Sequence, residues 1–196
     1  MKKIIYLSLS LLTFFLIISS WLKTQFAYSF PSTPLHTQQR FVPTPSPTKI
    51  GYPVNLQIPK IGVNAIIEWV GLDRDNNMDV PKSWENVGWY SPGYLPGSVG
   101  NAVIDGHLDS PFGPAVFWRL SELNQGDMVQ VTDSNNNIYK FRVEKVENYP
   151  YNSFPIEKVF GKTDRKRLNL ITCSGVFDQS INKYLERTVI YSSLED

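Results

Sequence analysis

Short apolar segments that alternate with polar residues recur throughout the chain after residue 50, and this pattern limits its fold more than any other feature. Apolar side chains at every second position are typical of a β-strand. The pattern predicts strands at residues 54–58, 63–70, 101–107, 127–132, 138–146, 168–173 and 187–191. Turn-forming runs, such as DSNNN at 133–137, separate these segments. About eight strands at such close spacing predict a mostly β domain, closed or nearly closed into a barrel.

Helical signals in the same region are few. Only residues 114–123 and 155–160 favour short helices. Aromatic residues make up 13% of the chain, and its prolines and glycines are scattered rather than periodic. This composition is typical of short strands joined by turns. The formal net charge is only +1, so we predict no nucleic-acid partner, because binding to nucleic acid requires a basic face.

The N-terminus carries an apolar run at residues 4–22, directly after Lys2 and Lys3. A run of about 18 to 20 apolar residues is long enough to cross a bilayer as a helix, whereas a cleaved signal peptide has a shorter apolar region. Positive charges before the run favour an N-terminus inside the cell. We therefore predict that residues 1–30 form a transmembrane anchor, with a cleaved signal as the alternative. Either prediction places the remaining chain outside the cytoplasm.

Residues 31–49 contain prolines separated by serines and threonines. Such a segment cannot build a core and favours an extended backbone. We predict a linker here, in which His36 is a solvated side chain. The domain boundaries that follow are an anchor at 1–30, a linker at 31–49 and a β-barrel domain at 50–196.

The barrel domain contains one cysteine, Cys173, and one histidine, His107. An unpaired thiol is unusual in a chain that leaves the cytoplasm, and a nearby imidazole can activate it as a nucleophile. Each residue ends a predicted strand beside a glycine, where its side chain can point into a cleft. These features alone leave two alternatives open, a catalytic pair or a buried structural cysteine with a hydrogen-bonded histidine.

Three local sequences resemble those of the sortase family. The segment NLITC at 169–173 resembles the Thr-Leu-x-Thr-Cys signature of sortases, with Asn169 in place of the first Thr. The segment GHLD at 106–109 is similar to the one that carries the sortase histidine, and Arg187 matches the sortase arginine in order and spacing. The resemblance covers nearly all of residues 50–196. The stretches NVGWY at 86–90 and AVFWRL at 115–120 resemble the class F or class E-like branch.

The resemblance implies an eight-stranded β-barrel and a specific reaction. Sortases are cysteine transpeptidases that cleave a sorting signal, typically Leu-Pro-x-Thr-Gly, in exported proteins. Cys173 would attack the Thr carbonyl and form a thioacyl-enzyme. His107 would protonate the departing amine and then deprotonate the incoming one, while Arg187 would stabilise the oxyanion or orient the carbonyl.

The resemblance also implies the partners and the place of action. The acceptor would be an amine of a cell-wall precursor or of a protein subunit, and no metal or organic cofactor would be required. The enzyme would act at the cell membrane, with its domain on the outer side. The alternatives are a thiol hydrolase of surface peptides and a non-catalytic anchored β-domain.

Several neighbouring residues have simpler interpretations. Arg187 could instead pair with a carboxylate such as Asp178. We expect Asp109 to cap the turn at 110–111 rather than to orient His107. The acidic stretch at 73–79 predicts a turn rather than a calcium loop. We expect most of the aromatic residues to lie in the core, a set that comprises Trp84, Trp89, Tyr90, Phe117 and Trp118.

Overall fold

The computed structural model describes residues 49–195. The predicted membrane anchor at 1–30 and all but the last residue of the predicted linker at 31–49 lie outside these residues. Across residues 49–195, no helix combines the length and the apolar character needed to span a bilayer.

The described chain is mostly β-structure. Its strands are β1 (Pro53–Ile58), β2 (Val63–Val70), β3 (Val87–Tyr90), β4 (Gly100–Gly106), β5 (Asp109–Ser110), β6 (Gly113–Pro114), β7 (Met128–Asp133), β8 (Ile138–Pro150), β9 (Lys166–Asp178) and β10 (Lys183–Leu194). One short α-helix, α1, covers Ile156–Phe160, and 3₁₀ turns lie at Pro59–Ile61, Leu120–Glu122 and Tyr151–Ser153.

Eight of the strands close into a barrel in the order β1-β2-β3-β4-β9-β10-β8-β7. Two neighbouring pairs, β2–β3 and β4–β9, are parallel, and the other pairs are antiparallel. Strands β5 and β6 form a separate two-stranded sheet. The structure therefore confirms the prediction of a mostly β domain with a closed eight-stranded barrel.

The barrel interior is filled by aliphatic and aromatic side chains. Leu168 and Leu170 of β9, Ile190 of β10 and Phe141 of β8 are fully buried in one continuous cluster. Burial of each large apolar side chain contributes roughly 1.5–3 kcal/mol to stability. Because side chains alternate across a strand, residues 169, 171 and 173 of β9 point to the outer face.

A second, smaller cluster covers part of that outer face. Val103 of β4, Ile171 of β9, Val189 of β10 and Val159 of α1 pack together there, with Tyr191 beside them. The same face carries the predicted site residues. Because side chains alternate along a strand, residue 107 faces the same way as residues 103 and 105 of β4, and residue 187 the same way as residues 189 and 191 of β10. The outer face of β4, β9 and β10 is thus where the site must be sought.

The structure differs from the sequence pattern at β3 and at one of the two predicted helices. The sequence pattern did not place β3, which is short and contains Gly88. The predicted helix at 114–123 is wrong, since only a 3₁₀ turn forms at its end. Its backbone N–H groups serve a different partner, because those of Ala115 and Phe117 donate to the carbonyls of Leu108 and His107. The helix predicted at 155–160 is confirmed.

The two predicted turns are also confirmed. In the β7–β8 connection the buried Asp133 carboxylate accepts the backbone N–H groups of Asn135 and Asn137, both at 2.8 Å. In the acidic stretch the Asp73 carboxylate accepts the N–H groups of Asp75 and Asn77 at 2.8 and 2.9 Å. Asp side chains commonly stabilise turns in this way.

Candidate active site

Strand pairing places Cys173 directly opposite Arg187. The two residues are register partners in the antiparallel pair β9–β10. A register shift between Tyr184 and Glu186 precedes this position on β10. Residues paired in this way on one face have Cβ atoms about 4.5–5.5 Å apart, so the thiol and the guanidinium group share one surface.

A buried hydrogen bond brings the end of β4 to the same place. The parallel register of β4 and β9 reaches Asp105 and Ile171. One residue further, the Thr172 hydroxyl donates to the carbonyl of Gly106 at 2.8 Å. Thr172 precedes Cys173 and Gly106 precedes His107, so the continued register sets the histidine beside the cysteine.

Gly106 is required at this position by close packing. A Cβ atom there would lie 2.6 Å from the ring of Phe117, which is fully buried. The backbone N–H of Phe117 also donates to the carbonyl of His107 at 2.9 Å. Phe117 therefore belongs to the core, as expected, and supports the segment that carries the histidine.

The His107 imidazole is oriented by a loop between β2 and β3. Its Nε2 lies 2.9 Å from the carbonyl oxygen of Pro81. Because a carbonyl oxygen only accepts hydrogen bonds, Nε2 must carry a proton. The ring also packs against Trp84, with centroids 4.3 Å apart. Trp84 remains 41% exposed, so the expectation of a core position is wrong for this residue.

Glu68 on β2 holds the loop that orients His107. Its carboxylate accepts the backbone N–H groups of Lys82 at 2.9 Å and Ser83 at 3.3 Å, and the side-chain amide of Asn86 at 2.8 Å. The hydrogen bond from Lys82 is the main cause that lowers the pKa of Glu68. Sequence reasoning missed this residue, although it is the only charged residue within β2.

The Cys173 thiol is half-buried, and its environment favours the neutral form. Burial is the main cause that raises its pKa, the charge of Arg187 acts in the opposite direction, and Asp109 and Asp105 raise it further. A thiol with a raised pKa is mostly protonated near neutral pH. The nucleophile therefore requires a base to accept its proton. The continued register of β4 and β9 places the His107 imidazole beside the thiol.

Arg187 keeps its charge unpaired by carboxylates within residues 49–195. One of its nitrogens, Nη1, donates to the carbonyls of Tyr184 and Glu186 at 2.9 and 2.8 Å. Asp178, the alternative partner, accepts instead from the backbone N–H and hydroxyl of Ser180. The ion-pair interpretation of Arg187 is therefore wrong for the described residues.

Four other arginines of the described chain are neutralised by glutamates. Each forms an ion pair with a glutamate, namely Arg119 with Glu122, Arg142 with Glu195, and both Arg165 and Arg167 with Glu144. Only Arg187 both faces the thiol and offers an unneutralised guanidinium group among these five. Such a group suits the stabilisation of a developing oxyanion.

Asp109 lies beside the site but does not cap the turn. Its carboxylate accepts a hydrogen bond from the Tyr184 hydroxyl, and this contact is the main cause that raises the pKa of Tyr184 to about 12. The Ser110 hydroxyl stabilises the turn instead, because it accepts the N–H of Phe112 and donates to the carbonyl of Gly113, both at 3.1 Å. The expectation for Asp109 is wrong.

Asn169, where the chain departs from the sortase signature, has a structural partner. Its amide donates to the carbonyl of Val159 at 2.7 Å and to Asn101 Oδ1 at 3.3 Å. Asn169 is fully buried. The substitution of Thr by Asn therefore supplies a donor that ties α1 to the barrel wall.

The other aromatic residues divide between core and surface. Trp89 is buried, Tyr90 is half-buried against the outer cluster, and Trp118 is 50% exposed. Trp118 and Trp84 line an open cleft of about 630 Å³. Trp84 thus separates that cleft from the His107 ring, against which its own ring packs.

Comparison with known proteins assigns the family. A sequence model described as the sortase domain matches residues 56–195. The chain therefore belongs to the sortase family, whose members are cysteine transpeptidases. A search of curated proteins gave no match. The class F or class E-like assignment stays a prediction.

Solved structures show the same fold. The sortase D5 transpeptidase of Clostridium perfringens is similar at 20% identity with a TM-score of 0.56, over 74% of this chain and 79% of that chain. A lid mutant of sortase A from Corynebacterium diphtheriae matches at 18% identity and a TM-score of 0.58, over 78% and 74%. Sortase C-1 from Actinomyces oris matches at 19% identity and 0.58, over 73% of each chain.

Proposed function

We propose that this protein cleaves a sorting signal of the Leu-Pro-x-Thr-Gly type in exported proteins and transfers the acyl group to an amine at the cell surface. The observation that carries the proposal is the register that pairs Cys173 with Arg187 and continues to His107. The proposal thus uses residues of β9, of β10 and of the segment directly after β4, on one face of the barrel. Membership of the sortase family supports the same reaction class.

In the first half-reaction the Cys173 sulfur attacks the Thr carbonyl carbon of the signal. The thiol proton passes to His107, a C–S bond forms, and Arg187 faces the developing oxyanion. The C–N bond then breaks, and the departing amine takes the proton from the imidazolium ion. The product is a thioacyl-enzyme, which preserves the energy of the bond that was cleaved.

In the second half-reaction the acceptor amine attacks the thioester. His107 removes the proton from that amine, the C–S bond breaks, and the Cys173 thiolate recovers the proton. Because Nε2 of His107 already holds a proton against Pro81, the lone pair of the neutral ring lies on Nδ1. Proton exchange in this arrangement therefore uses Nδ1.

The apolar run and the proline-rich segment support a proposal for location. Residues 1–30 would anchor the protein in the cell membrane, and residues 31–49 would hold the barrel at a distance from it. The sorting signal and the amine acceptor, either a cell-wall precursor or a protein subunit, would then meet at the outer surface. Protease accessibility of the barrel in intact cells tests this placement.

The full chain in detergent, given a fluorogenic signal peptide with and without an amine, tests the reaction. Cys173→Ala, His107→Ala and Arg187→Ala should each abolish or strongly reduce turnover. Arg142→Ala is the matched control. This arginine of β8 pairs with Glu195 beside the C-terminal end of β10, away from the proposed site. Absence of turnover and of any Cys173 adduct across a panel of signals would refute the proposal, and hydrolysis that no amine alters would indicate a thiol hydrolase.

A further inference from the structure

Asp105 is an acidic residue on the catalytic face that the proposed mechanism does not use. It lies on β4, two residues before His107, and points to the same outer face. Its register partners are Gly88 on β3 and Ile171 on β9. Neither partner carries a polar side chain, so the carboxyl group stands alone within its row of the sheet.

One oxygen of this carboxyl group is buried and unsatisfied. Asp105 Oδ1 has no hydrogen-bond partner among residues 49–195. It lies over Gly88, where a Cβ atom would approach it to 2.5 Å and the Val70 side chain to 2.9 Å. Buried polar atoms without a partner are unfavourable and rare. The residue as a whole is half-buried, so part of it stays accessible at the barrel surface.

Burial favours the neutral form of the Asp105 carboxyl group. Burial is the main cause that raises its pKa well above the usual range, and the nearby carboxylates Asp79 and Glu68 raise it further. A neutral carboxyl group offers one O–H donor and one carbonyl acceptor side by side. This pair matches the acceptor and donor of a peptide backbone.

The position of Asp105 places this pair within reach of a bound peptide. Two residues along a strand span roughly 6.6 Å, which is also about two residues of an extended substrate. Asp105 pairs with Ile171 on β9, two residues before Cys173 on the same outer face, so the two side chains belong to one surface. A peptide whose scissile carbonyl lies at Cys173 can therefore pass Asp105.

We propose that the carboxyl group of Asp105 hydrogen-bonds the backbone of the sorting-signal peptide, about two residues from the scissile bond, and thereby selects an extended acyl donor. This inference rests on the proposed function. Asp105 is a specificity-determining residue in this scheme, because it contacts the donor but exchanges no proton with the reacting atoms. The accessible part of the carboxyl group makes this contact.

The test compares Asp105→Asn with Asp105→Val in the full chain. Asn keeps a donor and an acceptor at the same size, whereas Val removes both and suits a strand. We expect Asp105→Asn to keep kcat/KM for the donor within about threefold and Asp105→Val to lower it roughly tenfold. The rate of Cys173 alkylation and the thermal unfolding curve control for changes in the nucleophile and the fold.

A backbone N-methyl scan of the signal peptide then locates the contact. One methyl group, about two residues from the scissile bond, should lower kcat/KM of the wild-type and Asp105→Asn proteins. The same methyl group should leave kcat/KM of Asp105→Val unchanged. If no methyl group near that position lowers kcat/KM of the wild-type protein, the inference is overturned without any variant. It is also overturned if the methyl group lowers kcat/KM of Asp105→Val as much as that of the wild type. A loss of kcat/KM in Asp105→Asn as large as that in Asp105→Val would overturn it as well.

If Asp105→Val does not fold, Asp105→Ala takes its place in the kinetic comparison and in the N-methyl scan. An effect on the KM of the amine alone, with unchanged donor hydrolysis, would contradict a donor contact. Loss of all Cys173-dependent cleavage in wild type would refute the proposed function itself, whereas cleavage without coupling would refute only the role of Asp105.

Discussion

The two faces of β9 show how one strand can serve both the core and the site. Leu168, Leu170 and Thr172 face the barrel interior and are at most 4% exposed. On the outer face Asn169 and Ile171 are covered, and only Cys173 reaches an accessible position. The inner face carries two leucines and one threonine, whereas the outer face carries the amide of Asn169, the apolar Ile171 and the thiol of Cys173. Stability and chemistry can therefore be altered separately.

The largest separation is expected from Leu170→Ala. Leu170 is fully buried, and its truncation should lower the free energy of unfolding by about 2–5 kcal/mol. Urea unfolding of the full chain measures this loss. Ile66→Ala is the control, because Ile66 is 63% exposed and should change stability little. Equal losses at both positions would remove the distinction between the inner and outer faces.

Glu68→Gln should mainly affect catalysis. The change leaves an amide facing the donors from Lys82, Ser83 and Asn86, so the loop that contacts His107 should shift. Misplacement of a catalytic group by a fraction of an ångström to 1 Å costs roughly tenfold to a hundredfold in kcat.

Alkylation of Cys173 separates that effect from general damage. The Glu68→Gln protein should alkylate at the wild-type rate, because Cys173 lies on β9 rather than on the loop. Lys82→Ala is the matched control, since its backbone N–H, not its side chain, contacts Glu68. Equal kcat values for wild type and Glu68→Gln would show that the loop does not position His107.

Thr172→Val tests the hydrogen bond between β9 and β4, which an inner-face residue makes. It removes the hydroxyl that donates to Gly106 while keeping the shape, and should destabilise the protein by about 1 kcal/mol. Because this bond sets the end of β4 beside β9, kcat should also fall. A stability loss with unchanged kcat would mean that the register alone places His107.

The smallest effect concerns the charge state of the thiol. The Cys173 pKa is raised by burial and lowered by Arg187, so Arg187→Ala should raise it further and slow alkylation by iodoacetamide at a given pH. Asp109→Asn removes a charge that raises this pKa and should speed alkylation. Because burial favours the protonated thiol, the thiol's contribution to the free energy of unfolding is fully present below the usual thiol pKa. This contribution is lost as the pH rises through the higher pKa of the folded protein. Opposite shifts would contradict the electrostatic account.

Local patterns in the sequence were sufficient for much of the fold. Alternation located seven of the barrel strands, and the turn at 133–137 followed from residue type. The pattern did not predict strand β3, because VGWY is short and almost wholly apolar and so shows no alternation. The helix predicted at 114–123 failed because tertiary partners, the carbonyls of Leu108 and His107, take its backbone donors.

The candidate site was predictable only in its principal members. The order of His107, Cys173 and Arg187 is visible in the sequence, and the register pairs Cys173 with Arg187 and, when continued beyond β4, points to His107. Glu68 and Asp105 are not visible, because each acquires meaning from residues that are distant in the chain. Glu68 acts through a loop at residues 82–86, and Asp105 is isolated by Gly88 on another strand. Pairing register, which no local pattern encodes, creates both environments.

The bond from Thr172 to Gly106 has a consequence for how the protein folds. It joins positions 66 residues apart in the chain, and strands β5 to β8 lie between the paired strands β4 and β9 in the sequence. Contacts of such long range form late, since the entropy of loop closure must first be overcome. A chain in which β4 and β9 have not yet paired therefore lacks the imidazole beside its thiol. Barrel closure is thus the step that assembles the proposed pair of thiol and imidazole.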